Sequence, residues 1–200
     1  MKVIELGRIE YHAALEIQTR HLDALLAGAG EEVLLLLEHE PVYTIGRTRD
    51  QSSLRPALPH PVVETNRGGQ ATYHGPGQLV GYPILDLNRR GRDLHAYLRF
   101  LEDVLIRLCA DFGVRASRRD GLTGVWVDGK KIASLGVGIK KWITMHGFAL
   151  NVLTSSLPAF SQITPCGIVG VKMTSLETES PEPVSLPDVT ARAAGMFAGL

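Results

Sequence analysis

The chain has 200 residues, of which 44% are hydrophobic and 21% are charged, proportions that are ordinary for a soluble globular protein. Lysine plus arginine and aspartate plus glutamate each number 21, so the formal net charge is +0 and the basic excess of a nucleic-acid-binding protein is missing. No apolar run approaches the roughly 18 residues of a membrane-spanning helix, no signal-peptide pattern is present, and two cysteines do not form a disulfide framework. We therefore expect a cytoplasmic protein that folds as one domain over residues 1–200 and binds neither nucleic acid nor membrane.

Hydrophobic periodicity predicts one helix and several extended segments before the middle of the chain. Leucines at roughly helical spacing predict a helix over Tyr11–Leu26, which two glycines would end. The run VLLLLEHE, beginning at Val33, has the five successive apolar residues of a strand that is covered on both faces. Shorter extended segments are predicted at residues 2–9, 41–46 and 62–65, with a polar, proline-containing loop at residues 47–61.

The segment RGGQATYHGPGQLVGYPILDL, from Arg67 to Leu87, joins a glycine-rich stretch to a long apolar one. Four of its first eleven residues are glycines, which allow a backbone to turn sharply or to approach another group closely. The apolar residues that follow them predict a buried strand. This segment therefore predicts a glycine-rich loop at the end of a buried strand, forming one wall of a binding site.

The second half begins with the clearest helix of the chain. Asp93 is a good N-cap, apolar residues recur every three or four positions from Leu94 to Phe112, and Gly113 is suited to end the helix. A β-hairpin is predicted where Asp-Gly, residues 128–129, separates two apolar runs, and a further strand is predicted at residues 143–152.

A last short helix is predicted near the C-terminus, with Ser185 or Asp188 as its cap. Its expected buried side consists of Val189, Ala193, Met196, Phe197 and Leu200. Together these elements predict an α+β fold in which a mixed or antiparallel sheet carries flanking helices.

Two familiar site patterns are incomplete in this sequence. Residues 124–131, GVWVDGKK, nearly match the phosphate-binding pattern G-x-x-x-x-G-K-[ST], but Lys131 replaces the hydroxyl that binds magnesium and the context is strand, turn, strand. His74, His146 and Cys166 could be zinc ligands, but no two of them have the close spacing of a typical zinc site. We therefore expect neither a phosphate-binding loop nor a bound metal.

The two cysteines have different sequence surroundings. Cys109 lies on the apolar stripe of the predicted helix and is expected to pack in the core, whereas Cys166 stands between a proline and a glycine in a loop. The pattern leaves open whether the loop thiol has a chemical role. A reactive thiol is a thiolate that a nearby cation stabilises, and the candidate cations are His74 and Lys131. A lysine at the start of an apolar strand is more often only a surface residue.

Several motifs in consecutive order resemble those of the octanoyltransferase family of lipoate biosynthesis. They are the long segment that begins at Arg67, KIASLG from Lys131, HGFALNV from His146, PCGI from Pro165 and then TSL. The first motif is highly specific, and the resemblance covers most of the chain. It implies a fold like the catalytic domains of biotin and lipoate protein ligases, and transfer of an octanoyl group without any cofactor.

Carried over residue by residue, the resemblance implies that Cys166 forms the acyl thioester and that Lys131 tunes this cysteine. It implies octanoyl-acyl carrier protein as the donor. The implied acceptors are lysines in the lipoyl domains of 2-oxoacid dehydrogenase complexes and in the glycine cleavage H protein. The residues implied to bind the acyl group are Arg67, Gly68, Gly69, Gln70, Ala71, Thr72, Tyr73, His74, Ser134, Leu135, Gly136, Gly147, Phe148 and Ala149.

Some features of the reaction stay open at the level of the sequence. Either Lys131 or His74 could accept the proton of the acceptor lysine, and backbone N–H groups of the glycine-rich loops could stabilise the oxyanion. A basic patch for an acidic carrier is expected at residues 89–92 or at residues 140–141. The residues expected to line the octyl chain are Leu135, Val137, Phe148 and Leu150.

Two alternative functions are compatible with the same sequence. The first is an ATP-dependent lipoate or biotin protein ligase, which would need an adenylate site and would not need Cys166. The second is a non-catalytic module that binds an acyl group or its carrier and turns nothing over.

Overall fold

The computed structural model describes residues 1–198, and within them the strands form a seven-stranded and a three-stranded sheet. The strands are β1 (Lys2–Ile9), β2 (Val33–His39), β3 (Val42–Ile45), β4 (Val62–Glu64), β5 (Thr72–His74), β6 (Gln78–Ile84), β7 (Ser117–Arg119), β8 (Leu122–Val127), β9 (Lys130–Lys140) and β10 (Ile143–Asn151). The large sheet has the order β1-β2-β6-β10-β9-β8-β7, with only β1 and β2 parallel. The helices are α1 (Tyr11–Leu26), α2 (Leu94–Asp111), α3 (Leu176–Glu179) and α4 (Leu186–Ala198). The predicted α+β fold with a mixed sheet is confirmed.

The apolar run of β2 is buried on both faces, as its composition predicts. Successive side chains of a strand point to opposite faces, so Val33 and Leu35 belong to the cluster packed on α1. Leu34 and Leu36 belong to the opposite cluster, which α2 and α4 cover. Helices on both faces thus place β2 and β6 in the interior.

Local capping signals set both ends of α2 and the start of α4. The carboxylate of Asp93 accepts a hydrogen bond from the backbone N–H of Ala96 at 2.9 Å, and Gly113 ends α2 with a φ of +74°. At α4, Ser185 is the cap, because its hydroxyl accepts from the backbone N–H of Asp188 at 3.3 Å. The expected buried side of α4 includes Leu200, which lies outside the described residues.

The Asp128-Gly129 hairpin connects β8 to β9, with both turn residues at positive φ. The small sheet has the order β4-β3-β5, and it was not predicted as a separate layer. Its strand β5 lies between the two pairs of glycines in the stretch that was predicted as one glycine-rich loop, so that part of the prediction is wrong: pairing with β3, which is distant in sequence, makes residues 72–74 extended. The bond between His74 and Gln78 connects β5 to β6 of the large sheet. None of the helices described by the structure has the length and hydropathy needed to span a membrane.

Candidate active site

Cys166 and Lys131, far apart in sequence, lie in contact. The ammonium Nζ of Lys131 is 3.4 Å from Sγ of Cys166. Cys166 sits in the short 3₁₀ turn Pro165–Gly167 with a φ of +55°, a conformation that is uncommon for residues other than glycine. Its backbone N–H donates to the carbonyl of Ala71 at 2.8 Å, so the glycine-rich segment holds the cysteine turn in place.

Lys131 is buried although it is the second residue of β9, at the start of an apolar strand. Its backbone pairs with residues 172–174, donating to the carbonyl of Lys172 and accepting from the N–H of Thr174. The side chain is 1% exposed. Its ammonium donates to the carbonyl of Thr123 at 3.0 Å and lies 5.2 Å from the ring centroid of Trp126. The general expectation of a surface lysine is therefore wrong here, because a segment distant in sequence covers it.

The charge and position of Lys131 suit it to stabilise a thiolate. A cation at hydrogen-bond distance favours the anionic form of a thiol, and low exposure to water strengthens that attraction. The hydroxyl of Ser134 is a second polar neighbour, 3.9 Å from Sγ of Cys166.

Arg67 is a buried cation without a carboxylate partner among residues 1–198. Its guanidinium donates to the carbonyl and the hydroxyl of Thr44 at 2.9 and 2.7 Å, and to the carbonyl of Gly68 at 2.9 Å. Burial lowers its pKa from the usual value, while negative charge on Tyr11 or Cys166 would act in the opposite direction. Arg67 thus adds positive charge to the surroundings of the thiol.

The histidines around the site are neutral. His74 donates from Nδ1 to the amide oxygen of Gln78 at 2.8 Å, which leaves Nε2 to accept from the hydroxyl of Thr44 at 3.4 Å. Burial lowers the pKa of His74 well below its ordinary value, and it lowers that of His39 to about 4 and that of His146 to about 3. His74 therefore does not provide an imidazolium for Cys166, and Lys131 is the cation in contact with it.

A first cavity adjoins Cys166 on the side of α1. It is narrow, about 30 Å³, which is room for about one water molecule. It is lined by Tyr11, Arg67, Gly69, Thr72, His74, Tyr82, Ser134, Leu135, Gly136, His146, Gly147, Phe148, Ala149 and Cys166.

A second cavity of about 290 Å³ adjoins Cys166 from the side of α2. It shares Gly69, Leu135, Gly136 and Cys166 with the first cavity, so the two meet at the thiol. Its other lining residues are Arg47, Gly68, Leu94, Leu98, Gly121, Leu122, Thr123, Lys131, Val137 and Ile168.

Most of the residues implied to bind an acyl group line one of these cavities, and three do not. Ala71 accepts the N–H of Cys166, and Gln70 lies against Gly167, where a Cβ would come within 2.1 Å of its Oε1. Tyr73 packs in the small cluster around Tyr43. Of the residues expected along the octyl chain, Leu135 and Phe148 line the first cavity, Val137 lines the second, and Leu150 packs in the core beneath α2 and α4.

The structure adds residues that the sequence patterns did not single out. Tyr11 and Tyr82 line the first cavity from α1 and β6, and no local signal distinguishes them from core aromatics. Glu102 of α2 had a signal that could have been used, because it lies four residues after Leu98 and three before Leu105 on the apolar stripe. A carboxylate at such a position needs buried partners.

Two patterns noted in the sequence, the near match to a phosphate-binding loop and the possible metal ligands, can be compared with the structure. Gly124 lies within β8 and Gly129 in the hairpin turn, so the pattern does not precede a helix. Within residues 1–198, no group of three or more histidine, cysteine, aspartate or glutamate side chains is arranged to hold a metal ion.

Comparison with known proteins is consistent with this geometry. Residues 10–198 match the family model of the lipoyl protein ligase A/B catalytic domain. An octanoyltransferase of Geobacter metallireducens is 55% identical over 198 residues, covering 98% of this chain and 92% of its own. Among solved structures, a putative lipoate protein ligase from T. acidophilum aligns with a TM-score of 0.75 at 14% identity, covering 99% of this chain and 83% of its own. The biotin protein ligase from Aquifex aeolicus aligns with a TM-score of 0.59 at 13% identity, covering 99% and 69%. The chain therefore belongs to the octanoyltransferase family, a family of acyltransferases that shares the lipoyl protein ligase A/B catalytic domain.

Proposed function

We propose that this chain transfers an octanoyl group from acyl carrier protein to a lysine of a lipoyl domain, through a thioester on Cys166. The observation that carries the proposal is the 3.4 Å contact between Sγ of Cys166 and Nζ of Lys131 at the point where the two cavities meet. The names of the relatives support octanoyl transfer. The donor, the acceptor and the thioester intermediate are the parts proposed here.

In the first half-reaction, the thiolate of Cys166 attacks the carbonyl carbon of the octanoyl thioester. A new carbon–sulfur bond forms, the bond to the carrier thiol breaks, and Lys131 donates its proton to the departing thiolate. One thioester replaces another, so this step is close to balanced in free energy. After it, Cys166 carries the acyl group, and Lys131 is a neutral amine beside the thioester with a lone pair that can accept a proton.

In the second half-reaction, the acceptor lysine in its neutral form attacks the thioester carbonyl. Its proton passes to Lys131, an amide forms, and the thiolate of Cys166 leaves beside the restored ammonium. An amide is more stable than a thioester, so this step is downhill. Lys131 is the better candidate for the base than His74, because the Nε2 of His74 already accepts from Thr44 and burial lowers its pKa.

The two cavities suit the two arms of the reacting thioester. The first cavity has small side chains at Gly147 and Ala149 and neutral histidines around it, which suit an apolar chain. Because its volume is only about 30 Å³, octanoyl binding requires its walls to move apart. The larger second cavity, with Leu94 and Leu98 on one side, gives the donor arm and the acceptor lysine access to the thiol.

Of the five cations in the surface patches expected to face an acidic carrier, three are paired with carboxylates, while Arg92 and Lys141 make no ion pair within residues 1–198. Arg89 and Arg90 pair with Asp86 and Glu32, and Lys140 pairs with Asp23. Arg47 also has no acidic partner within the described part of the chain, and it lines the second cavity. Arg47 is therefore the cation best placed to attract a negatively charged donor arm.

The test is the mass of the intact protein after incubation with octanoyl-acyl carrier protein. We expect the parent chain and Cys109→Ala to gain one octanoyl group, and Cys166→Ala to gain none. Addition of an unmodified lipoyl domain should then remove the group from the enzyme and place it on the domain. If Cys166→Ala gains the octanoyl group and Cys109→Ala does not, Cys166 is not the nucleophile.

The same preparation separates the alternative functions. An ATP-dependent ligase would modify the lipoyl domain from free octanoate and ATP, and Cys166→Ala would keep that activity. A non-catalytic module would bind the octanoyl carrier without removing its acyl group. Either result would contradict the proposed mechanism.

A further inference from the structure

Glu102 is a buried carboxylate on α2 that the reaction described above does not use. It is 1% exposed and accepts three hydrogen bonds. The backbone N–H of Gly124 donates to its Oε1 at 2.9 Å, while Arg99 and Arg118 donate to its Oε2 at 2.7 and 3.0 Å. Burial of a carboxylate is costly unless it is fully partnered. The two arginines neutralise its charge toward solvent, and the bond to Gly124 points into the protein.

That inward bond leads to Lys131. The N–H of Gly124 and the carbonyl of Thr123 belong to one planar peptide group, and in a trans peptide they point in opposite directions. The carbonyl of Thr123 accepts from Nζ of Lys131 at 3.0 Å. A single peptide group therefore stands between the carboxylate of Glu102 and the ammonium of Lys131, which in turn contacts Cys166.

The partners of Lys131 make this peptide group important. Among residues 1–198, the ammonium has no carboxylate within ion-pair distance. Its recorded neighbours are the carbonyl of Thr123, Sγ of Cys166 and the ring of Trp126. When Cys166 carries an acyl group, its Sγ no longer accepts from Nζ as a thiolate. The carbonyl of Thr123 is then the one hydrogen-bond acceptor of Nζ, among residues 1–198, that acylation leaves unchanged.

A carboxylate on the N–H side strengthens that carbonyl as an acceptor. Hydrogen bonds in a chain polarise one another, and bonds to ionised groups are shorter and stronger than neutral ones. Gly124 makes the arrangement possible, because its φ of +135° is open to glycine and a Cβ there would lie 2.7 Å from Cε of Lys131.

We propose that Glu102 is a positioning residue for the reaction, acting through the Thr123–Gly124 peptide group to hold the ammonium of Lys131 against Cys166. This inference rests on the proposed function for its catalytic meaning, and on the geometry for the coupling itself. The competing interpretation is that Glu102 only fastens α2 to β8 and has no effect on the thiol.

The experiment is a double-mutant cycle with Glu102→Gln and Lys131→Met. One readout is alkylation of Cys166 by iodoacetamide, followed by peptide mass, which needs no acyl donor. The other is single-turnover acylation from octanoyl-acyl carrier protein, with kcat and KM from multiple turnover. Urea unfolding of each variant reports stability, and Asp111→Asn, another α2 carboxylate paired with an arginine, Arg192, serves as the matched control.

With Lys131 present, we expect Glu102→Gln to slow alkylation and acylation about tenfold, as for loss of one charge-assisted hydrogen bond, with kcat reduced and KM unchanged. In the Lys131→Met background the same change should alter alkylation less than about twofold, because no ammonium remains to be positioned. Asp111→Asn should leave both rates within about twofold of the parent.

Equal slowing in both backgrounds, or no slowing when Lys131 is present, would overturn the inference. If Glu102→Gln does not fold, Glu102→Asp replaces it in the cycle, since it keeps the charge and the arginine pairs but withdraws from the Gly124 N–H. If the parent chain is never acylated, the proposed function fails, while the alkylation cycle still decides whether Glu102 acts through Lys131.

Discussion

The buried neutral histidines predict that the protein loses stability in mildly acidic solution. Burial lowers the pKa of His39 to about 4 and that of His146 to about 3, whereas an unfolded histidine has a pKa of about 6.5. Below pH 6.5 the unfolded chain binds protons at these positions that the folded chain does not bind. The free energy of unfolding is therefore largest above pH 6.5 and falls as the pH decreases toward the folded pKa values.

The magnitude follows from the two pKa values of each group. At pH 5 an unfolded histidine is almost fully protonated and a folded one with a pKa of about 4 is mostly neutral, so each contributes a loss of about 2 kcal/mol relative to pH 7. His39 and His146 together should then remove about 4 kcal/mol of stability. This is a large part of the 5–15 kcal/mol that is typical of whole domains.

The assay is urea unfolding at pH 7 and pH 5, followed by tryptophan fluorescence. His39→Gln should lower stability at pH 7 because it alters the bonds of His39 to Tyr82 and Ile9, and should shrink the difference between the two pH values by about 2 kcal/mol. If His39→Gln shows the same difference between pH 7 and pH 5 as the parent chain, the assignment of a neutral buried imidazole at position 39 is wrong.

Two further predictions concern the site itself. Gly124→Ala should destabilise the fold by about 1–3 kcal/mol and slow acylation, because its Cβ would displace the side chain of Lys131. The matched control is Gly129→Ala, also at positive φ but with open space around its Cβ, which should cost about 1–2 kcal/mol and leave the acylation rate unchanged. Ala149→Leu, which fills the first cavity, should block acylation from octanoyl thioesters while acetyl thioesters still react. Val137→Leu, in the second cavity, should leave acylation from octanoyl thioesters intact. The reverse pattern for this last pair would place the acyl chain in the second cavity.

Local elements of the fold could be predicted because neighbouring residues determine them. The cap at Asp93, the apolar stripe of α2 and the Asp128-Gly129 turn each depend on residues that are close together in the sequence. The buried strand at Val33 depends on a run of apolar residues that alternate between two faces. The small three-stranded sheet was not predicted as a separate layer, since its short strands carry weak patterns and are stabilised by tertiary pairing.

The motif around Arg67, the lysine of KIASLG and the cysteine of PCGI were recognisable from the sequence as one family pattern. Their roles in binding and catalysis stay predictions, but the structure shows which of them are neighbours. Ala71 and Gln70, inside the same motif, contact the cysteine turn rather than a cavity. A motif read along the chain cannot distinguish these positions, because the distinction depends on which face of the loop meets residues 165–167.

The sequence by itself determined the α+β architecture and the family, and its family resemblance predicted Cys166 as the nucleophile and Lys131 as the residue that tunes it. Only the tertiary structure decided that Lys131 is buried, because residues 172–174 pair along its strand. Only the tertiary structure decided that His74 is neutral, because burial and its bonds to Thr44 and Gln78 determine its protonation. The link from Glu102 through one peptide group to Lys131 joins α2, β8 and β9. Contacts between segments so distant in sequence arise only when the sheet and its helices have packed together.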